Sequence, residues 1–424
     1  MRSFPSISLS LAIALGAILT SLLAATGFQV FQSSQAQTLP PAEPELTMPT
    51  DSVDPELIAA NHRLGFNLLE QLLQDAPGEN VLISPTSVAM ALAMAYNGAE
   101  GDTQQAMAEA LEIQGLSLEA LNQANGALKE ALASDDPAVT LAMANSLWAR
   151  QNVEFKADFL ARNRQFYGAE IASLDFGNPK TLNVINAWVN DQTKGKIPGI
   201  LDQISPEQVM FLINALYFKG DWQTPFDPDQ TTDKPFYQAD GAEKQLPMMA
   251  RSDSFQYLET DQVQAVSLPY GEGRWAMDIW LPKSDVGFEA FAKEWTAEQW
   301  QQSLNQFRSR EGSLELPRFQ VDYEASLSSA LSALGMGQAF TDEANFAGMS
   351  DLDLLIDEVR HKTVLEVNEE GSEAAAATSV GISVTSIQIP QDPFEMVVDR
   401  PFMVTIRDRE TGTLLFMGAI VDPQ

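Results

Sequence analysis

The chain contains no cysteine among its 424 residues, which excludes disulfides, thiolate metal sites, iron–sulfur clusters and a cysteine nucleophile. Histidine is nearly absent too, because only His62 and His361 occur, far apart in the sequence. Neither has a patterned carboxylate beside it, so we expect no zinc site and no catalytic histidine. No glycine-rich phosphate motif is present. We therefore expect no metal, no cofactor and no enzymatic activity, since no nucleophile–base set is visible.

Basic residues are also scarce: 25 Lys and Arg stand against 58 Asp and Glu, a formal net charge of −33. An acidic surface of this size argues against nucleic acid or anionic lipid as a partner, and no basic cluster indicates a polyanion activator. The segment Asp227–Asp233 spaces its oxygens like a calcium loop, but Thr232 and Gln238 replace the glycine and the final glutamate. We interpret it as an acidic loop.

The N-terminus has no charge between Arg2 and Glu43 and carries a long apolar run, 7–31. Small residues precede a possible cut after Ala36, so residues 1–36 are predicted to be a signal peptide. The protein would then be exported, to the extracellular space or the periplasm. Because the run is long enough to cross a bilayer, an uncleaved N-terminal membrane anchor is the alternative.

Residues 37–53 are rich in Pro, Thr and Gln, and we predict a linker there. No second linker or internal repeat follows, so residues 54–424 are predicted to form one large domain, which we expect to be monomeric.

Helical and strand patterns occupy different parts of this domain. Helices are predicted at 54–74, 84–96, 103–111, 118–132, 181–194 and 286–305. Strands are predicted at 81–83, 139–149, 208–219, within 244–282, at 360–370, and in a hairpin of 402–406 with 413–421. Helices come early and strands late, without regular alternation, which predicts a mixed α+β fold.

The segment Glu369–Ser386 is an unusual strand. One alternate face runs from Ser372 through alanines to Val380, Ile382 and Val384, while the other face is small or polar. Four consecutive alanines gain little from entering a sheet, yet small side chains would let a strand slide between two others. The pattern indicates a loop that changes state.

Several separated motifs together resemble the serpin family, over about Asp54 to Pro423. They are 80–87 (NVLISPTS), 97–103 (NGAEGDT), 186–197 (NAWVNDQTKGKI), 214–222 (NALYFKGDW), 316–319 (LPRF), 361–373 (HKTVLEVNEEGSE) and 399–402 (DRPF). The resemblance implies three β-sheets wrapped by eight or nine helices, with an exposed reactive-centre loop.

The resemblance also implies a suicide inhibitor of a serine protease. The protease would attack the loop and form an acyl-enzyme with it. The cleaved loop would then insert into the large sheet and trap the protease covalently. Burial of Val380, Ile382 and Val384 would contribute roughly 1.5–3 kcal/mol each, so the uncut fold is expected to be metastable.

Family resemblance assigns residues to this process. The hinge comprises Glu369, Glu370, Gly371, Ser372, Glu373, Ala374, Ala375, Ala376, Ala377 and Thr378. Family spacing places the reactive bond at Thr385–Ser386, with Ile382, Ser383 and Val384 recognised by the protease; the bond could shift within Val384–Ile387. A small β-branched residue before the bond favours an elastase-like or subtilisin-like target.

Two polar groups complete the resemblance. Ser84, Ser87, Asn214 and His361 match the family's shutter, beneath the centre of the large sheet; we call them the shutter cluster. Trp222, Arg318 and Glu369 match the breach, where insertion begins; we call them the breach group and expect an Arg318–Glu369 ion pair. Two alternatives stay open: a non-inhibitory binding module of the same fold, and a cross-class inhibitor of a cysteine protease.

Overall fold

A computed structural model describes residues 53–133, 136–372 and 392–423, which belong to one compact unit, Thr47–Gln424. These residues contain nine α-helices: α1 Pro55–Asp75, α2 Pro85–Tyr96, α3 Gly101–Ala110, α4 Leu118–Ala131, α5 Ala157–Tyr167, α6 Lys180–Gln192, α7 Phe288–Glu294, α8 Ala297–Leu304 and α9 Ser328–Leu331. A π turn and a 3-10 turn, Ser332–Met336 and Gly337–Phe340, follow α9.

The same part of the chain contains fifteen strands. They are β1 Val81–Ile83, β2 Val139–Arg150, β3 Glu170–Leu174, β4 Met210–Asp221, β5 Thr232–Tyr237, β6 Glu243–Glu259, β7 Val263–Tyr270, β8 Trp275–Pro282, β9 Arg308–Pro317, β10 Phe319–Ser326, β11 Glu358–Val367, β12 Gly371–Ser372, β13 Phe394–Val397, β14 Phe402–Asp408 and β15 Leu414–Ile420.

Local chemistry explains where the early helices begin. Asp54 caps α1 by accepting a hydrogen bond from the Glu56 backbone N–H at 2.8 Å, and Pro55 supplies a preset first helical residue. Ser84 caps α2 in the same way, through its Oγ and the Ser87 N–H. These signals are readable in the sequence, and the predictions of both helices and of β1 are confirmed.

Two predicted elements differ from the structure. The single helix expected at 286–305 is divided into α7 and α8, because Thr296 forms a capping box with Gln299 and starts a new helix. The strand expected at 360–370 ends at Val367, and a tight turn then reverses the chain before β12.

The first sheet carries the candidate site. Its order is β10-β11-β4-β2-β3, and β12 pairs with β4 in addition. The other strands form a nine-stranded ladder, β1-β15-β14-β8-β7-β6-β9-β13 with β5 beside β6. The 17-residue β6 pairs with β5 over residues 243–248, with β9 over 248–257 and with β7 over 256–259. The α+β fold with mixed sheets and nine helices is as predicted.

The main core lies between the two ladders. Every residue of α2 is buried, and this helix packs against both β4 and β15. A second apolar cluster lies beneath α6 and includes Trp148, Ile185, Val189 and Ile213. Of the helices within the described ranges, none has the length and apolar character needed to cross a membrane.

Candidate functional site

Strand β4 has two unlike flanks, and the candidate site lies along one of them. On one side β2 runs antiparallel to β4 from Val139↔Gly220 to Ala149↔Met210. On the other side β11 runs parallel to β4 only from Glu358↔Phe211 to Val364↔Tyr217. We call this second border the seam. Beyond Tyr217 the seam parts, and β12 pairs with β4 there instead.

The shutter cluster lies at the middle of the seam, and the structure brings all four residues together. His361 and Asn214 face each other in the register, and the His361 Nδ1 is 2.6 Å from the Asn214 Oδ1. The Asn214 side-chain amide donates to the Ser87 Oγ, and the Ser84 backbone N–H lies 3.1 Å from the His361 Nε2. All four residues are fully buried.

These contacts determine the protonation state of His361. A backbone N–H can only donate, so the Nε2 must accept, and the proton lies on Nδ1, which donates to the Asn214 Oδ1. Burial lowers the pKa of His361 from its ordinary 6.5 to about 3, against a smaller opposing effect of the hydrogen bond to Asn214. The shutter cluster therefore contains a neutral imidazole at neutral pH.

Asn145 is a further member of this network that sequence reasoning missed. It lies directly opposite Asn214 in the β2–β4 register, and its Oδ1 accepts a hydrogen bond from the Asn214 amide. The three side chains Asn145, Asn214 and His361 thus form a polar row across three strands. A lone amide inside the apolar run of β2 was a visible signal, but its partner depends on register.

The hinge begins with a tight turn at the open end of the seam. The Asn368 Oδ1 accepts from the backbone N–H groups of Glu370 and Gly371 at 3.0 and 3.2 Å. Gly371 has a φ of +155° and lies against β4, where an added Cβ would stand 2.1 Å from the Gly220 carbonyl oxygen. Only glycine allows this close approach.

Ser372 is the last hinge residue that the structure describes, and it is fully buried. Its Oγ lies 2.7 Å from the hydroxyl of Tyr270. The Tyr270 ring stacks on Trp222 with centroids 4.4 Å apart, and Gly220 leaves room for it. Tyr270 therefore contacts the last described hinge side chain, a contact that no sequence motif indicated.

The breach group closes the top of the sheet around Glu369. The Arg318 Nε donates to the Glu369 Oε1 at 2.7 Å, and the Arg318 Nη2 contacts the same oxygen, so the expected ion pair is present. Burial alone would raise the pKa of Glu369, but the hydrogen bonds from Arg318 and Thr231 outweigh it and lower the pKa. Trp222 donates its indole N–H to the Asn368 carbonyl at 2.9 Å.

A second arginine, Arg251, holds the loop 224–226, which contacts Glu369 of the breach group. Its guanidinium lies 4.9 Å from the ring centroids of both Phe226 and Phe255, and it donates to the Thr224 carbonyl. The Phe226 backbone N–H in turn donates to the Glu369 carbonyl at 2.8 Å. Burial lowers the pKa of Arg251 to about 10, so it remains charged at neutral pH.

The remaining site predictions lie outside the described residues. These are the hinge from Glu373 to Thr378, the recognition residues Ile382, Ser383 and Val384, and the Thr385–Ser386 bond. The signal peptide and nearly all of the linker are outside them as well. Within the described ranges no group of three or more His, Asp or Glu could hold a metal ion.

A comparison with protein families matches residues 59–423 to the model described as "Serpin (serine protease inhibitor)". Among the relatives, an uncharacterized serpin-like protein of Methanosarcina mazei is 33% identical over 90% of this chain and 91% of its own length. The bovine leukocyte elastase inhibitor is 35% identical over 87% of this chain and all of its own length.

Solved structures agree with this comparison. The native-state crystal structure of the thermophilic serpin tengpin aligns with a TM-score of 0.80 at 30% sequence identity. The alignment covers 88% of this chain and 95% of tengpin.

Proposed function

Because the chain belongs to the serpin family, we propose that it is a suicide inhibitor of a serine protease. The protease cleaves the loop after Ser372, and entry of the cleaved loop into the seam traps the acyl-enzyme. The proposal includes export, extracellular or periplasmic, on the strength of the signal-peptide pattern at residues 1–36. We also propose that the protein is a monomer and forms a covalent one-to-one complex with its target protease.

One observation carries this proposal: the parted upper seam already admits the first hinge residues. Gly371 and Ser372 pair with Asp221 and Gly220 of β4, antiparallel to it. Continuing that direction would lay the rest of the hinge along β4, where its backbone groups would gain ladder hydrogen bonds worth about 0.5–1.5 kcal/mol each. A loop outside the sheet forgoes this gain.

The chain after Ser372 suits such an entry. Strand alternation assigns Glu373 to the face opposite the buried Ser372, residues Ala374–Ala377 are small, and no charged residue occurs from Ala374 through Gln391. A charge drawn into the sheet would cost several kcal/mol unless it were paired. The sequence therefore supports insertion, and with it the inhibitory function over a non-inhibitory binding module.

For the target, we propose an elastase-like or subtilisin-like serine protease. Thr385 with Val384 before it suits a shallow apolar pocket rather than one built for Arg or Lys. The bovine relative is named an inhibitor of leukocyte elastase, which supports the same class.

The test is incubation of the full chain with elastase, subtilisin, trypsin and a papain-like cysteine protease, followed by SDS gel electrophoresis and mass spectrometry. We expect a one-to-one SDS-stable complex with elastase or subtilisin and a cut within Val384–Ile387. Digestion of the loop without any complex would favour the non-inhibitory module. A complex with the cysteine protease alone would favour the cross-class inhibitor.

A further inference from the structure

A cavity of about 240 Å³ lies beside β2, on the side away from the seam. The ends of α4 and α5, the last turn of α6 and Met90 of α2 line it, and it opens to solvent on one side. Its apolar wall includes Leu141, Met143 and Trp188. The site is smaller than the roughly 300–1,000 Å³ pockets of drug-sized ligands, so it suits a compact molecule.

Lys129 gives this cavity its charge. It is the only charged side chain that lines the cavity among the described residues. Its Nζ lies beside Gly168, 3.1 Å from where a Cβ would stand. No hydrogen bond or ion pair engages this ammonium within the described ranges, although the chain has 58 acidic residues. An unpaired cation beside an apolar wall favours an anion with an apolar body.

Asn145 adds a second polar side chain to the lining. It is 9% exposed and lines the cavity. Its Oδ1 is engaged by Asn214, while its Nδ2 donates to no group of the described chain. An amide of this burial favours an acceptor partner, which a carboxylate oxygen provides.

We propose that this cavity binds a compact amphipathic carboxylate. The carboxylate lies between the Lys129 ammonium and the Asn145 Nδ2, and the apolar body packs on Leu141 and Met143. A neutral molecule of the same shape leaves the ammonium unpaired, so the negative charge is the determinant of binding.

Binding here is linked to the seam through one side chain. Asn145 holds Asn214, and Asn214 holds His361 across the seam. A ligand that orders Asn145 therefore stabilises the uncut arrangement of β2, β4 and β11. This regulatory part depends on the proposed inhibitory function, whereas the binding itself does not.

The binding test titrates the full chain with octanoate and, separately, with octanamide, which has the same chain without the charge. We expect saturable one-to-one binding of octanoate and a rise in the unfolding midpoint with its concentration. Octanamide should bind at least about tenfold more weakly, the size expected for loss of one charge-assisted hydrogen bond.

Three variants locate the site. Lys129→Met should weaken octanoate binding about tenfold, and Lys129→Arg should stay within about threefold of the natural chain. Leu141→Trp fills the cavity and should abolish binding while Lys129 is kept. The apolar N-terminal run is present in every variant, so its own binding cancels in the comparison.

Equal binding of octanoate and octanamide would overturn the proposal, as would an unchanged octanoate affinity in Lys129→Met. Absence of saturation up to about 10 mM octanoate would overturn it too, because that concentration is far above a dissociation constant of micromolar order. A separate assay addresses the link to the seam: octanoate should lower the fraction of protease trapped per loop cleaved. If octanoate binds at Lys129 but trapping is unchanged, the site stands and the linkage fails. If no protease is trapped at all, the inhibitory function fails and the binding result is unaffected.

Discussion

The two edges of β4 differ in the direction and the length of their strand pairing. Toward β2 the ladder is antiparallel and continuous, with eleven residue pairs from Val139↔Gly220 to Ala149↔Met210. Toward β11 it is parallel and has seven pairs, from Glu358↔Phe211 to Val364↔Tyr217. One edge of β4 is thus paired along its length, while on the other edge β11 stops at Tyr217 and, among the described residues, only β12 pairs above it, at Gly220 and Asp221. We expect the sheet to part at this second edge and to hold at the first.

The side-chain contacts on the two sides of β11 also differ. Toward β10, Lys362 and Arg360 form ion pairs with Asp322 and Glu324 at 2.9–3.6 Å. Across the seam no ion pair joins β11 to β4 among the described residues. His361 bonds to Asn214 there, and Asp357, just before β11, accepts from the Met210 backbone N–H at 2.8 Å. We expect β10 and β11 to move as a unit and the seam to open through the shutter cluster.

The largest expected effect comes from blocking the open end of the seam. Ser372→Arg places a cation in a fully buried position beside Tyr270, at a cost of several kcal/mol when unpaired. The loop should still be cut, but trapped complex per cut should fall about 100-fold. Gel quantification of complex against cleaved loop measures this ratio.

Ser372→Ala is the matched control. It removes only the hydrogen bond to Tyr270, so trapping should change by less than about tenfold. Efficient one-to-one complex formation by Ser372→Arg would contradict entry at this end of the seam.

The second-largest effect is expected from removing Arg318, the ion-pair partner of Glu369. The Glu369 side chain is 7% exposed, so Arg318→Met leaves a buried carboxylate without its cation. We expect a loss of about 2–3 kcal/mol in unfolding free energy at pH 7, measured by urea denaturation. Arg318→Met with Glu369→Gln should recover most of the loss. If the double variant is as unstable as the single one, the ion pair is not the cause.

Lowering the pH should reduce the stability of the folded protein through His361, which lies at the seam. Its pKa is about 3 when folded and about 6.5 when unfolded, so below pH 6.5 only the unfolded chain takes up the proton. Stability from this residue is complete above pH 6.5 and falls by about 1.4 kcal/mol per pH unit as the pH drops toward 3. Denaturant melts between pH 6.5 and 5 measure the slope.

His361→Gln isolates this effect, because glutamine can accept from the Ser84 N–H and donate to Asn214 without titrating. The slope should become shallower by about 1.4 kcal/mol per pH unit. His62, whose pKa burial lowers to about 4, still contributes its own slope in both proteins. An identical slope in both would mean that His361 is not neutral in the folded protein.

The smallest effect is expected on the flank that does not open. Lys362→Met removes the pairs with Asp322 and Glu324, which are partly exposed and worth less than about 1 kcal/mol together. Trapping of protease should be unchanged. A marked loss of trapping would mean that the β10–β11 pair controls insertion.

Much of this architecture could be predicted from local signals. The bounds of β1 and the start of α2 follow from an apolar run and from the Ser84–Pro85 cap, and both match the structure. The shutter cluster and breach group came from family motifs, and the structure brings the shutter residues together and pairs Arg318 with Glu369, while Trp222 bonds to the neighbouring Asn368. Their roles in insertion stay predictions.

What could not be predicted depends on contacts between distant segments. Asn145 joins the shutter cluster only because the register places it opposite Asn214, and Tyr270 meets Ser372 only because β12 turns back beside β4. The turn at Asn368–Gly371 breaks the strand predicted at 360–370, because alternation alone carries no sign of a chain reversal. The register of the Thr385–Ser386 bond stays a prediction from family spacing.

The most direct test of the seam is amide hydrogen exchange on the uncut protein and on protein nicked in its loop by elastase. Insertion would pair the edge of β4 between Tyr217 and the β12 contact at Gly220, so we predict a large gain of protection at Phe218 and in β11. Protection of β2 should stay nearly unchanged. Equal changes on both flanks, or no gain at Phe218 after nicking, would contradict the account.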